Sequence, residues 1–509
     1  MIARVLSGGF LGVNAFPVEV EVDITRGLPQ FSTVGLPESA VKESKDRVKS
    51  AIRNSGYAFP TSCLTVNLAP ADIRKEGTAY DLPIAIGILI ANGQVAAGDI
   101  DRPWLLMGEL SLDGRIKPVR GALPLAASAR SWTIAGFILP KENAPEAAVV
   151  ASQPVFGVET LGEVVAFLNG NSHPEPCRVD QKDFLRRSSH YDEDFAEVRG
   201  QEHVKRALEI AAAGGHNILM SGAPGSGKTM LARRLPTILP ELCFEEAVET
   251  SKIHSIAGLL SRQDALIRNR PFRHPHHSVS DAGLIGGGTI PRPGEVSLAH
   301  NGILFLDELP EFKKNILEML RQPLEDGEVT ITRAATTITY PASFMLVAAM
   351  NPCPCGFLGD RQNSCTCSQH TLQRYRSRLS GPLLDRIDLQ VDVPRVPHSD
   401  LASESEGETS AAVRSRVAAA RVLQQERMAE FGVHCNARMQ ARHIRRFCPL
   451  SEDSKTLLER VTDKLGLSAR SYTRIIKVAR TIADLEKSEN ILQHHIAEAV
   501  QYRSLDRTV

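Results

Sequence analysis

The stretch Gly222-Ala223-Pro224-Gly225-Ser226-Gly227-Lys228-Thr229 carries the plainest chemistry in the chain. Its glycines let the backbone bend so that successive N–H groups wrap a polyphosphate, and the positive end of a following helix adds to the attraction. Lys228 is spaced to reach the β- and γ-phosphates, and the Thr229 hydroxyl to ligate Mg2+. Such a loop needs a strand before it and a helix after it. Asn217-Ile218-Leu219-Met220 is apolar enough for a buried strand, and Met230–Leu235 has the composition of a helix. The expectation is a site for ATP and Mg2+.

A second pair completes that chemistry. Ile303-Leu304-Phe305-Leu306 is a continuous apolar run, the pattern of a strand buried on both faces of a parallel sheet. It ends in Asp307-Glu308. Asp307 is placed to hold the Mg2+ shell, and Glu308 to orient and polarise the attacking water. A helix N-terminus that happens to carry acids is the alternative for this pair alone.

The elements that must position these residues lie in a chain of 509 residues, too long for one core, so two to four domains are expected. Apolar residues make up 42% and charged residues 23%, the proportions of a globular protein. Lys+Arg and Asp+Glu are equal at 59 each, so any contact with nucleic acid must come from local basic patches or oligomer geometry. The longest apolar run, around Leu82–Ala91, is too short to span a bilayer and contains Pro83. The N-terminus has no extended apolar core of a signal peptide. Nine cysteines, an odd number, do not form a disulfide framework, and a reducing cytoplasm is expected.

Residues 1–168 mix strand and helix patterns. Val18–Ile24 alternates, Ser39–Asn54 has helical periodicity, Leu64–Leu68 reads as a strand and Leu82–Ala91 as a buried helix. Gly108-Glu109-Leu110-Ser111-Leu112-Asp113-Gly114-Arg115-Ile116-Lys117-Pro118-Val119 and Ile138-Leu139-Pro140-Lys141-Glu142-Asn143 resemble the proteolytic domain of Lon. That domain uses a Ser–Lys dyad. Here the nucleophile motif reads Glu76-Gly77-Thr78-Ala79-Tyr80-Asp81, with alanine at the serine position. The lysine region, Gly121-Ala122-Leu123-Pro124-Leu125, holds no lysine. The resemblance therefore implies an α+β Lon-like fold without covalent acyl transfer, serving subunit contacts or substrate guidance. Residues 169–190 read as a linker.

Residues 191–396 are expected to form the ATPase core. Val198-Arg199-Gly200-Gln201 resembles the segment that packs on adenine in AAA+ proteins. The prolines of Pro271-Phe272-Arg273-His274-Pro275-His276-His277 point to a loop structure, with metal binding by the three histidines as the lesser alternative. Ile316–Leu324 reads as a helix. Glu328–Thr332 and Thr336–Tyr340 alternate as two strands of a hairpin, with Arg333-Ala334-Ala335 at the turn. A similar hairpin in the magnesium-chelatase and minichromosome-maintenance branch of AAA+ ATPases projects into a ring pore. That likeness implies DNA contact by Arg333; a solvated arginine on an idle turn is the bland alternative.

Phe344–Met350 is another buried strand, and the Asn351 that follows it resembles the sensor-1 residue near the γ-phosphate. Cys353, Cys355, Cys365 and Cys367 follow in two C-x-C pairs. Four thiolates from adjacent turns can close a tetrahedral structural Zn2+ site; free thiols in a loop are the alternative. Arg386, in Leu383-Leu384-Asp385-Arg386-Ile387-Asp388, is the best candidate for an arginine supplied to the next subunit's phosphates, with Arg376 and Arg378 as alternatives. Such a residue has no use in a monomer and predicts a ring. Residues 397–509 begin with a polar bridge, Pro397–Thr409, and continue as a helical lid. Arg470, in Leu467-Ser468-Ala469-Arg470-Ser471-Tyr472, matches the sensor-2 position, and Arg474 lies one turn further on the same face.

The full order closely resembles the YifB/ComM family of magnesium-chelatase-like AAA+ proteins. The likeness rests on Asn351-Pro352-Cys353-Pro354-Cys355-Gly356, Leu383–Asp388 and the Lon-like leader. It implies a multidomain α/β protein: Lon-like α+β domain, P-loop core on a parallel sheet, helical C-terminal lid. It implies a hexameric ATPase on single-stranded or branched DNA that drives branch migration of recombination intermediates. A protein-remodelling or metal-chelatase-type ATPase is the second reading, and a nucleotide-gated scaffold the third.

Overall fold

A computed structural model describes residues 2–96, 101–179, 191–260, 265–288, 291–333, 336–360, 363–397, 407–465 and 468–503. Half of the expected linker (180–190), most of the polar bridge (398–406), the hairpin turn Ala334-Ala335, Thr289 and Leu467 lie outside them. The chain divides into two compact units. One comprises Met1–Ser188 with Cys243–Arg268, the other Ser189–Leu242 with Asn269–Val509.

The first unit is built on β1 (Ile2–Leu11), β2 (Asn14–Thr25), β3 (Gln30–Val34), β4 (Cys63–Ala69), β5 (Trp104–Leu106), β6 (Glu109–Leu110), β7 (Ile116–Lys117), β8 (Gly136–Pro140) and β9 (Val155–Val158). Seven of them form a mixed sheet in the order β3-β4-β2-β1-β5-β8-β9. The alternation in β2 has its usual cause: Val18, Val20 and Val22 are fully buried, and the acidic residues between them face outward. The helix Asp81–Ala91 is buried along its whole length. Gly87 lets it lie flat on the sheet, since a Cβ there would come 2.6 Å from Val22 Cγ2. The helix Phe244–Ala257 is stitched into this unit by the Ser255 hydroxyl, which donates to the buried Glu146 carboxylate at 2.9 Å.

The second unit holds β10 (Ile218–Ser221), β11 (Phe272–Arg273), β12 (Gly286–Gly287), β13 (Arg292–Pro293), β14 (Ile303–Leu306), β15 (Glu328–Arg333), β16 (Thr336–Pro341), β17 (Met345–Met350) and β18 (Leu389–Asp392). Five of these make a parallel sheet in the order β11-β14-β17-β10-β18. The apolar runs read as buried strands are buried: all of β14 and all of β17. Asn217 ties the bottom of the sheet together. Its side chain accepts from Leu346 N–H at 2.8 Å and donates to the Arg386 carbonyl at 2.9 Å.

The expected hairpin is β15–β16, in register from Glu328↔Pro341 to Arg333↔Thr336. The expected helix over Ile316–Leu324 is instead two short helices, Lys314–Met319 and Arg321–Asp326, meeting at Leu320. Pro323 sits in the first turn of the second, the one helical place where its missing N–H costs nothing.

The C-terminal part is helical: Ser410–Met428, Ala441–Phe447, Glu452–Leu465, Ala469–Leu485 and Gln493–Gln501. It shares one apolar core with the sheet, for Val413, Val417, Ile475, Val478 and Ile482 cluster with Ile218, Met220 and Leu389. The arginines of Ser410–Met428 are largely consumed in holding it there. Arg416 pairs with Glu209 at 2.6 Å, Arg421 donates to Ala212 O at 2.7 Å, and Arg427 pairs with the buried Asp484. Among the described residues no helix is long and apolar enough to cross a membrane.

Candidate active site

The loop after β10 turns through Gly225 and Gly227, whose φ angles of 77° and 93° are left-handed and favour glycine. Gly222 is needed for a different reason: a Cβ would meet the Val393 carbonyl at 2.3 Å. The helix Lys228–Ile238 then begins. Lys228 folds over its own loop and donates to the carbonyls of Gly222 at 2.7 Å and Ala223 at 3.0 Å, and to Asn351 Oδ1 at 3.3 Å. Burial lowers its pKa, and Asp307 opposes that. The Thr229 hydroxyl donates to Asp307 Oδ2 at 2.7 Å. Asp307 Oδ1 accepts the Glu308 N–H at 2.9 Å.

Three segments far apart in sequence thus converge, bringing together Lys228 and Thr229, Asp307, and Asn351. A buried ammonium beside a hydroxyl and a carboxylate is the donor set that a Mg2+–triphosphate takes. Ala223, Pro224 and Ser226 complete the loop. Gln201, from the Val-x-Gly-Gln segment, clips it from the side by donating to Ser226 O at 2.9 Å and Pro394 O at 2.6 Å. Gln201, His203, Gly222, Ala223 and Arg395 line a cleft of about 740 Å³ beside the loop.

Glu308 follows Asp307 with φ 53° and ψ 46°, a left-handed conformation uncommon for glutamate. Its carboxylate Oε2 lies 3.2 Å from His277 Nδ1. His276 and His277 lie with ring centroids 4.0 Å apart, but the three loop histidines form no metal-holding group among the described residues. The His274 ring is tilted against Phe305 with centroids 4.8 Å apart, and His276 Nδ1 accepts the Ser278 N–H at 3.3 Å.

Arg386 lies elsewhere in the unit. Its guanidinium is nearly buried, donates to Pro382 O at 2.8 Å and pairs with Glu325, while among the described residues its Nε has no partner. That pairing, with further pull from Arg470 and Arg474, holds the Glu325 carboxyl below its usual range. Arg470 is exposed. Arg474 pairs with Asp388, which is also 3.3 Å from His216 Nδ1. Burial pushes the Asp388 carboxyl up; Arg474, His216 and Lys477 outweigh it and hold the group low. Among the described residues, none of the contacts of Lys228, Thr229 or Asp307 is with these three arginines. Arg378 is taken by Glu311 at 2.8 Å. Arg333 is exposed at the end of β15, beside Gly287.

The four cysteines gather in one knot. Cys353 Sγ lies 3.3 Å from Cys355 Sγ and 3.8 Å from Cys365 Sγ, and Cys355 is 3.6 Å from Cys365. All four sulfurs, Cys367 included, fall within 4.8 Å of one another. A tetrahedron with Zn–S of about 2.3 Å has S···S edges of roughly 3.8 Å, so the donor set fits zinc. The knot packs on the phosphate loop: a Cβ on Gly356 would come 2.5 Å from Pro224 Cδ. A second cluster, Glu486, His494 and His495, is a poorer ligand set. His495 Nδ1 accepts the Leu492 N–H at 2.9 Å, so its proton sits on Nε2 and points at Glu486.

The sequence reading had His277 only as one of three loop histidines, not as the residue facing Glu308, and it left out Glu325, which holds Arg386, and Tyr375, whose hydroxyl donates to the Asn351 carbonyl at 3.2 Å. Only His277 carried a signal, in the histidine-rich loop ahead of β14.

Three family profiles match in succession: "Subunit ChlI of Mg-chelatase" over residues 20–143, "Magnesium chelatase, subunit ChlI" over 194–401, and "Magnesium chelatase, subunit ChlI C-terminal" over 407–503. Protein YifB of Salmonella typhimurium is 48% identical over 99% of this chain and 98% of its own length. Competence protein ComM of Haemophilus influenzae is 46% identical over the same shares. The chain belongs to the YifB/ComM family of magnesium-chelatase-like proteins. Its likeness to the magnesium-chelatase 38 kDa subunit of Rhodobacter capsulatus is narrower, 29% identity over 31% of this chain and 50% of that subunit. Membership of the YifB/ComM family implies an AAA+-type ATPase using ATP and Mg2+.

Proposed function

We propose that this chain is an ATP-driven ring motor on DNA, hexameric, that promotes branch migration of recombination intermediates in natural transformation or homologous recombination. The observation that carries the reading is the split of the machinery. Lys228, Thr229, Asp307 and Asn351 meet in one place, while Arg386 and Arg470 face Glu325 in another. A neighbour's Arg386 completes each site, with Arg470 as the lid's sensor-2 cation, so hydrolysis requires assembly. The competence protein among the relatives supports the pathway, and the exposed Arg333 of the hairpin is the residue that grips the strand. Residues 1–168 act as a Lon-like domain without a dyad, 169–190 as its linker, 191–396 as the motor core and 397–509 as the lid. The cytoplasm is the compartment in which a four-thiolate site stays reduced.

The test is ATP turnover with and without single-stranded or forked DNA. Turnover is expected to rise severalfold, with the protein retained on DNA in the presence of a non-hydrolysable ATP analogue. Neither response would favour the protein-remodelling or chelatase reading, which the magnesium-chelatase profiles support.

The cysteine knot is read as a structural zinc site formed by Cys353, Cys355, Cys365 and Cys367. Elemental analysis of the purified protein is expected to find one zinc per chain, lost in Cys353→Ser together with part of the nucleotide affinity, because the knot supports Pro224 and follows Asn351 directly. A metal-free wild-type protein with normal turnover removes the assignment.

A further inference from the structure

The helical C-terminal part carries a cluster of arginines that the nucleotide site does not use. The helix Ala441–Phe447 buries His443 and Ile444 and leaves Arg442, Arg445 and Arg446 exposed. Positions i, i+3 and i+4 share one helix face, so the three cations stand together. Phe431, in the turn after Ser410–Met428, supports two of them. The guanidinium carbons of Arg442 and Arg446 each lie 5.5 Å from its ring centre, and that of Arg446 is 5.0 Å from the ring centre of Phe447. The two phenyl rings meet edge-on at 6.1 Å. A planar cation resting on aromatic rings is pre-organised, so less freedom is lost when its N–H groups bind an anion.

Little within the chain competes for these cations. Arg446 meets Glu430 at 3.1 Å, but both side chains are more than half exposed, and such a pair contributes little and exchanges readily for another anion. Among the described residues no acid pairs with Arg442 or Arg445. The preceding helix is the contrast, since Glu209, Ala212 and Asp484 take Arg416, Arg421 and Arg427. The chain as a whole is neutral, with 59 Lys+Arg and 59 Asp+Glu, so the cluster is a local excess of positive charge.

The cluster is also tied to the hairpin. Arg438, just ahead of the same helix, donates to Ser343 Oγ at 3.0 Å. Ser343 follows β16, and the Ala342 N–H closes the hairpin base on Gly327 O at 2.8 Å. The far end of β15 carries the exposed Arg333, about 17 Å along the strand at its usual rise. A polyanion gripped at Arg333 therefore has a second basic surface anchored to the same hairpin.

We propose that Arg442, Arg445 and Arg446 form a phosphate-binding patch on the lid that holds the DNA backbone, separate from the contact at Arg333. Guanidinium forks match phosphate oxygens, so the patch adds affinity without sequence preference. The proposal rests on the reading of this chain as a DNA motor.

The test is the salt dependence of forked-DNA binding, read by fluorescence anisotropy on the full chain. Arg442→Gln, Arg445→Gln and Arg446→Gln combined are expected to weaken binding at least about tenfold at low salt and to flatten the slope of log K against log salt by about 2 to 3, the counterions of three phosphates. The same three positions changed to lysine keep the slope, since each still carries one charge. A control that removes three exposed charges elsewhere, Lys42→Gln with Lys45→Gln and Lys49→Gln, leaves slope and affinity as in wild type. Turnover without DNA and particle mass stay unchanged in all of these, which reports that they fold and assemble. More DNA is then needed to half-saturate the stimulation of turnover in the glutamine variant. The proposal is overturned if that variant binds with wild-type affinity and slope, if the lysine variant loses the slope as well, or if the control loses as much. It is also overturned if the glutamine variant fails to assemble, for the patch then faces a second copy. A wild-type protein that ignores DNA sinks the motor reading, and the patch with it; a wild type that binds DNA beside an equally competent glutamine variant sinks the patch alone.

Discussion

Glu308→Gln is expected to lower ATP turnover by about 10²–10⁴-fold, the range for removing a general base, and to leave ATP bound. The change is isosteric and removes only the charge. The groups that grip nucleotide do not depend on that charge: Lys228 rests on the Gly222 and Ala223 carbonyls, and Thr229 on Asp307. What Asp307 receives from its neighbour is the Glu308 backbone N–H at 2.9 Å, which glutamine also supplies. The left-handed backbone at 308 is as accessible to glutamine as to glutamate. ATP should therefore accumulate on the protein, and the bound species should be the assembled ring. Single-turnover hydrolysis, nucleotide content after gel filtration and particle mass measure the three consequences together. Lys228→Ala is the control, expected to lose binding itself. Unchanged turnover in Glu308→Gln would mean that another group orients the water.

Arg386→Ala is expected to cost on the order of 10³-fold in turnover, the lower end of what an arginine supplied across a subunit seam contributes. The fold should survive. Arg386 gives up one bond to the Pro382 carbonyl and a pairing with Glu325, whose side chain is 60% exposed and can be solvated once released. Asn217 still holds the backbone at this point through the Arg386 carbonyl. Lysine is not an adequate replacement, since its point charge lacks the planar fork. Mixing decides the direction of action. An Arg386→Ala protomer retains an intact phosphate loop, and a Lys228→Ala protomer retains an intact arginine. A mixed ring therefore contains some complete seams, and its turnover should exceed that of either variant alone. Full activity of Arg386→Ala, or mixtures as inactive as their components, would show that each chain completes its own site.

The phosphate loop, the Asp307-Glu308 pair and the cysteine pairs were legible because each is local. Strand, turn and helix occupy consecutive residues there, so spacing alone fixes which backbone groups and side chains share a place. The five parallel strands were legible for a related reason: a strand covered on both faces must be apolar throughout, as β14 and β17 are. The arginines of Ser410–Met428 were a different matter. Composition counts the arginines but does not reveal that Glu209, Ala212 and Asp484 take three of them.

By itself the sequence determined that a glycine-rich phosphate-loop pattern stands between a strand and a helix, because that pattern is written in contiguous spacing. Tertiary structure alone decided who faces whom across the sheet. His277, in the loop after β11, faces Glu308, just past the end of β14. Arg386 is held by Glu325, 61 positions away, as well as by the nearby Pro382 carbonyl. The helix Phe244–Ala257 is drawn into the first unit, where Ser255 meets Glu146. The reason is physical: a hydrogen bond or ion pair depends on distance in space, and no local pattern encodes which distant segment the packing of the core brings within 3 Å or so.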